Sequence, residues 1–124
     1  MEIFTSYFAV ARSLDPDRYF VVSISRFPPR WFSGLRCLSL APSKDLLFDY
    51  KSGLSKSAYT RRYRNELSEL FDLREVFQNL AMFSKGRDMV LCCYEKSGEF
   101  CHRHILSDIV FEKYGYRISE LKLS

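Results

Sequence analysis

Met89-Val90-Leu91-Cys92-Cys93-Tyr94 is apolar at every position. Both alternating faces are therefore apolar, the mark of a strand buried on two sides in a parallel sheet covered by helices. This stretch is expected to be the central strand. Upstream, Ile3–Val10 and Tyr19–Ser25 are rich in β-branched and aromatic residues, flank a Ser-Leu-Asp-Pro-Asp turn cluster, and read as two further strands. Pro28 and Pro29 lack the backbone donors a ladder needs, so a loop starts after Arg26. From Leu35 to Gly53 no period is sustained, which predicts an irregular connection with at most one short helical turn. From Ala58, apolar Tyr59, Tyr63, Leu67, Leu70 and Phe71 recur at helical spacing, with Arg61, Arg62, Arg64, Glu66 and Glu69 on the other faces. Asp72 and Glu75 form a capping-box-like pair that opens a second helix, with Leu73, Val76, Phe77, Leu80 and Ala81 inward and Gly86 as its stop. Beyond the central strand, a polar loop over Glu95–Glu99 leads into a helix from about Cys101 to Tyr114, stopped by Gly115. Tyr116–Leu121 is expected to add a short edge strand. The order defines a small three-layer α/β domain, Rossmann-like, with a mostly parallel central sheet. The link between the first two strands is too short for a normal helical crossover, which leaves their relative direction open.

The length of 124 residues allows one domain spanning 1–124. Hydrophobic residues at 47% and aromatics at 16% exclude a disordered tail. Twelve Arg and seven Lys against fifteen acidic residues give +4, a mild excess that permits a nucleic-acid or nucleotide partner without requiring one. No apolar stretch reaches the length of a membrane span, and Met1-Glu2-Ile3 does not start a signal sequence, so no membrane association is expected. Cys37, Cys92, Cys93 and Cys101 lack the dispersed pairs of a secreted disulfide scaffold. A reducing, cytoplasmic setting is the expectation.

In open α/β sheets, ligands bind beyond the carboxyl ends of the strands. Two such ends carry unusual residues: Ser25-Arg26 with the rigid Pro-Pro-Arg-Trp turn, and Tyr94-Glu95 followed by Cys101-His102-Arg103-His104. The last helix thus opens with cations in its first turn, where the macrodipole disfavours them by about 0.3–1 kcal/mol each, and something must compensate. Two readings are open: an anionic ligand held by the helix N-terminus and Arg103, or a structural bridge from Arg103 to Glu95 or Glu99. Cys101 sits where a thiol's pKa is lowered, which makes it a candidate nucleophile, against the plain reading of a small buried residue. Glu95 is a candidate general base if burial raises its pKa, against a bridge to Arg26 or Arg103. Cys92 and Cys93 face opposite sides and cannot share one ion. A zinc site from Cys93, Cys101, His102 and His104 has a spacing that fits no standard knuckle, so neither metal nor cofactor is expected. Phosphate-binding, dinucleotide, zinc-protease and nucleophile-elbow motifs are absent, as is the Cys-x5-Arg loop of cysteine phosphatases. Arg61, Arg62 and Arg64 with Tyr59 and Tyr63 could face single-stranded nucleic acid, but the tyrosines fall on the core stripe, and a solvated basic face is the simpler reading.

Ser25-Arg26-Phe27-Pro28-Pro29-Arg30-Trp31-Phe32 and Leu91–His104 resemble the family catalogued as domain of unknown function 488 over nearly the whole chain. Its hallmark is a buried strand ending in Cys-x-Glu, a short loop, and Cys-His-Arg opening a helix. Cys93, Glu95, Cys101, His102 and Arg103 fill those positions, and Arg26 fills the Arg after the second strand. Where members often have Asp-x-Arg, Ser23-Ile24-Ser25 precedes Arg26, and the longer helical segment that often separates the first two strands is missing. The resemblance implies an α/β, Rossmann-like fold with a polar site at the strand ends, and no particular reaction.

Two functions follow as expectations. One is an enzyme acting on a nucleotide, nucleic acid or other phosphate-containing ligand. In it Arg26 and Arg103 hold the anion, Glu95 serves as acid or base, Cys101 as nucleophile, and Ser25, Tyr94 and His102 as further ligand contacts. The other is a non-catalytic interaction module, with the same cluster structural and Trp31 and the Pro-Pro loop forming the contact surface.

Overall fold

The computed structural model describes residues 1–69, 72–95 and 99–122. Its centre is β4 (Asp88–Cys93), paired in parallel with β1 (Ile3–Tyr7) on one side and β2 (Tyr19–Ser23) on the other. The short strands β3 (Leu35–Arg36) and β5 (Ser119–Glu120) complete an all-parallel sheet of order β3-β2-β4-β1-β5. Register aligns Tyr7 with Cys93 and Ser23 with Cys92, so the carboxyl ends of the three long strands finish level. The direction left open by the sequence is settled: β1 and β2 are parallel but not adjacent, because β4 lies between them.

The pleat divides β4 between two cores. Met89, Leu91 and Cys93 join the larger one, with Phe20, Val22 and Ile24 from β2 and its end. Four helices cover that face: α2 (Lys44–Lys51), α3 (Lys56–Glu69), α4 (Leu73–Ser84) and α5 (His102–Tyr114). Val90 and Cys92 join the smaller core, which is closed by Phe8 of the four-residue helix α1 (Phe8–Ala11) and by Phe32 from the loop after β2. The three layers are therefore unequal, one of long helices and one of a single helical turn and a loop. Phe8 packs edge-on against Trp31, Phe32 and Tyr94, so aromatic area replaces helix length on the thin side.

The structure corrects three sequence readings. The first strand stops at Tyr7 rather than Val10, because Phe8 begins α1, the one-turn element that serves as the short crossover. The second stops at Ser23 rather than Ser25. The irregular stretch before Gly53 contains β3, a single 3-10 turn over Leu38–Leu40, and the two-turn helix α2. A cap starts α2: the Ser43 hydroxyl accepts from the Leu46 amide and donates to the Glu66 carboxylate of α3. Asp72 caps α4 as expected, accepting from the Arg74 amide. That helix ends at Lys85 and Gly86, both at positive φ, and α5 ends at Gly115, φ 69°. Leu70, Phe71 and the loop residues Lys96–Gly98, which the sequence reading assigned, lie outside the described residues.

Tyr63 ties the helical layer to the loop after β3. Its fully buried hydroxyl donates to the Leu40 carbonyl at 2.6 Å. Tyr63→Phe strands that carbonyl in an apolar site and is expected to cost about 1–3 kcal/mol in a urea unfolding titration, with the cleft described below unchanged.

Candidate functional site

Because the long strands end level, the loops that follow them and the start of α5 meet at one edge of the sheet. A cleft of about 380 Å³ opens there, lined by Ser25, Arg26, Tyr94, Glu95, Cys101 and His102 at the strand ends, and by Phe27, Pro42, Leu47, Tyr50, Lys51, Tyr59 and Phe100. Six of the seven residues singled out from the sequence line it; Arg103 does not.

Arg103 is fully buried. Its guanidinium forks onto Glu120 of β5, Nε to Oε1 at 3.1 Å and Nη2 to Oε2 at 2.9 Å. Nη1 donates to the Glu95 carbonyl at 2.6 Å and to Cys93 Sγ at 2.9 Å. The compensation demanded by cations at a helix N-terminus is thus a bidentate carboxylate, and the structural bridge is made to Glu120, not to the side chain of Glu95 or Glu99. Burial pushes the Glu120 carboxyl up, but hydrogen bonds from Arg103 and Thr5 outweigh it and hold the group below the usual range.

His102 is buried, and its Nε2 lies 2.7 Å from the Ile24 carbonyl. A carbonyl only accepts, so Nε2 carries the proton. Desolvation, assisted by Arg103 and His104, lowers its pKa to about 4 against the opposing bond to Ile24, so the ring is neutral at physiological pH. Nδ1 then presents a lone pair 3.7 Å from Cys101 Sγ.

Cys101 occupies the N-cap position of α5 without capping through its side chain, and it is disulfide-bonded to Cys93. The sequence points to a free Cys101 thiol and to no secreted-type disulfide scaffold; the structure pairs Cys101 with Cys93. β4 delivers Cys93 on its helical face, which brings its sulfur to that of Cys101 across a Cα separation of 7.5 Å. The ligand atoms of Cys93, Cys101 and His102 lie within 4.8 Å of one another, so the reduced pair with His102 is the set among the described residues that could hold a metal ion. His104 is not part of it; its Nε2 is buried without a hydrogen-bond partner among the described residues.

The rest of the cleft is cationic and aromatic. Arg26 donates through Nε to the Pro42 carbonyl at 2.9 Å, and its terminal nitrogens make no hydrogen bond among the described residues. Lys51 stands exposed at the end of α2. Tyr50, Tyr59 and Phe100 form a wall with ring centroids 4.9–5.7 Å apart. Glu95 is exposed at the rim, so the burial on which a general-base role was premised is not there. Tyr94 is also exposed, and its hydroxyl donates to the Phe27 carbonyl, joining the two strand-end loops. Sequence reasoning missed Tyr50 and Lys51 because it missed α2; the Ser43 cap with Asp45 in the first turn was the signal available. It assigned Tyr59 to the core, where it is, without seeing that the residue also lines the cleft. Glu120 left no signal beyond being acidic on an edge strand. Outside the cleft, Arg62 and Arg64 pair with Asp49 and Glu112, consistent with a solvated basic face.

The architecture is thus that of a parallel α/β domain with a polar cleft at its strand carboxyl ends. Residues 12–114 match the family model DUF488-N3a, described as the active DUF488-N3 subclade, and the chain belongs to the DUF488 family. No curated protein and no solved structure gives a significant match. Among the described residues no helix is long and apolar enough to cross a membrane.

Two outcomes test this geometry. Glu120→Ala leaves a buried guanidinium without its counter-charge and is expected to cost about 3–5 kcal/mol in denaturant titrations, whereas replacing Arg103 and Glu120 together by Met and Leu recovers most of that loss. His102 has a folded-state pKa below its unfolded value, so its contribution is complete above about pH 6.5 and is lost as the pH falls toward 4. The window corresponds to about 3 kcal/mol. His102→Gln should flatten the stability profile between those limits; an unchanged slope would contradict the buried neutral ring.

Proposed function

We propose that the cleft binds a small anionic ligand carrying a flat ring, a nucleotide being the class that fits, and that the protein is an enzyme acting on it. The observation that carries this reading is the pairing of an aromatic wall with two cations, Arg26 and Lys51, in one cleft of about 380 Å³. Aromatic rings stack on nucleobases without regard to sequence, and such stacking contributes about 1–3 kcal/mol per base. Arg26 is anchored by Nε alone, which leaves its terminal nitrogens to fork onto a phosphate. Ser25 and Tyr94 supply contacts at the strand ends. Cys101, once reduced, is the nucleophile, its thiol placed to donate a hydrogen bond to the His102 Nδ1 lone pair beside it, and Glu95 stands at the rim of the cleft as an exposed carboxylate. The volume is that of a site for one nucleotide rather than a groove for a strand. Arg103 belongs to the structural network, so the non-catalytic reading of the cluster is favoured for that residue alone.

A calorimetric titration with nucleoside mono- and diphosphates, inorganic phosphate and free nucleosides separates the two halves of the site. Nucleotides should bind at least tenfold, or about 1.4 kcal/mol, more tightly than either fragment. Arg26→Ala should remove the preference for phosphate, and Phe100→Ala the preference for the base. Absence of heat for every nucleotide at millimolar concentration, or binding indifferent to Arg26→Ala, would sink the reading.

A further inference from the structure

We propose that Cys93 and Cys101 form a thiol–disulfide exchange centre in which Cys101 is the sulfur attacked from the cleft and Cys93 is the leaving group. The inference goes beyond the nucleotide reading and does not depend on it. Its basis is the asymmetry of the pair. Cys101 is itself buried, at 4% exposure, but lines the cleft, whereas Cys93 has no exposed surface in β4 and is absent from the cleft wall. An incoming thiolate therefore meets Cys101. The sulfur behind it, Cys93 Sγ, lies 2.9 Å from Nη1 of Arg103, whose charge is held in place by Glu120. Exchange is faster when the departing sulfur is the better-stabilised thiolate, and a fixed guanidinium stabilises Cys93 as one. Cys101 has the neutral ring of His102 instead, with Nδ1 3.7 Å away and free to accept a hydrogen bond from the Cys101 thiol once it forms.

The substrate class is a small thiol, with its disulfide as the product. The first thiolate forms a bond to Cys101 Sγ as the Cys93–Cys101 bond breaks, and the electron pair passes to Cys93 Sγ. A second thiolate attacks the substrate sulfur of the mixed disulfide, and Cys101 leaves. Two thiols are oxidised to one disulfide, the protein disulfide is reduced to two thiols, and the two protons of the substrate thiols end on Cys93 and Cys101. Run in reverse, a small disulfide re-oxidises the pair. The other two cysteines stand apart from this chemistry. Cys92 points into the opposite core, and Cys37 lies in the loop after β3, away from the cleft wall.

The test uses the full chain with glutathione, read by mass spectrometry and peptide mapping after acid quench. Cys93→Ser incubated with oxidised glutathione should acquire one glutathione at Cys101, and Cys101→Ser should acquire it at Cys93 at least ~10-fold more slowly. In the wild-type chain, which needs no variant to fold, partial reduction followed by brief iodoacetamide treatment should label Cys101 at least ~10-fold ahead of Cys93. Equal labelling of the two, or faster labelling of Cys93, overturns the assignment. So does a reduced wild-type protein that retains one equivalent of zinc with both thiols shielded, which would make the same sulfurs metal ligands.

Discussion

One buried guanidinium organises the functional edge of this domain. Arg103 projects from the first turn of α5 into the sheet, and its donors are shared among Glu120 of β5, the Glu95 carbonyl at the end of β4, and Cys93 Sγ within β4. A charge this deep is tolerable only because its donors are matched by partners fixed on two different strands, β5 and β4 with its end. The interaction therefore does what packing alone does poorly: it sets the position of α5 relative to the ends of β4 and β5. It also explains why a two-residue edge strand is present. Ser119–Glu120 pairs with β1 over two positions, too few to define a strand firmly, and the Glu120 carboxylate bound to Arg103 and to the Thr5 hydroxyl supplies the missing restraint.

With Arg103 spent on structure, the cations left at the cleft are ones that the fold leaves unspent. Arg26 and Lys51 come from the two sides of the cleft, one from the loop after β2 and one from the end of α2. The placement of Lys51 depends on the Ser43 cap, which starts α2 and joins it through Glu66 to α3. The aromatic wall has the same origin, since Tyr50 of α2 meets Tyr59 of α3 and Phe100 ahead of α5. Strand ends position the polar and sulfur groups, and helix-to-helix contacts shape the aromatic wall opposite them.

The division between what could be read in the chain and what could not follows from the range of each signal. The unbroken apolar run of β4, the 3.6 periodicity of α3 and α4, and the glycine ending α5 are local patterns, and local patterns named the central strand and three helices correctly. α2 escaped because its eight residues bury only Leu46 fully and it is held by a cap and by α3 rather than by its own apolar stripe. In the site, chain position brought Ser25, Arg26, Tyr94, Glu95, Cys101 and His102 to the strand ends, which the topology then gathered. Direction did not follow from position. That Arg103 turns inward was fixed by Glu120, seventeen residues away on a different element, and no spacing rule couples an edge-strand glutamate to a helix arginine. The disulfide escaped for a similar reason: the eight-residue separation of Cys93 and Cys101 is informative only once the β4 pleat and the start of α5 are known.

Adjacent Cys92 and Cys93 show how little of the chemistry depends on residue type. They differ by one step along β4, and the pleat sends them to opposite faces. On the thin side, Cys92 lies among Phe8, Phe32 and Val90, where burial pushes its thiol up to about 12 despite the field of Arg103. A thiol there behaves as a small apolar side chain and stays protonated at any physiological pH. On the helical side, Cys93 meets the guanidinium directly and has Cys101 within bonding reach. A shift of register by one residue would exchange these fates while leaving composition, hydrophobicity and local propensity untouched. The pairing of β4 with β1 and β2, which holds that register on both sides along its length, is therefore as much a determinant of the site as any residue that lines it.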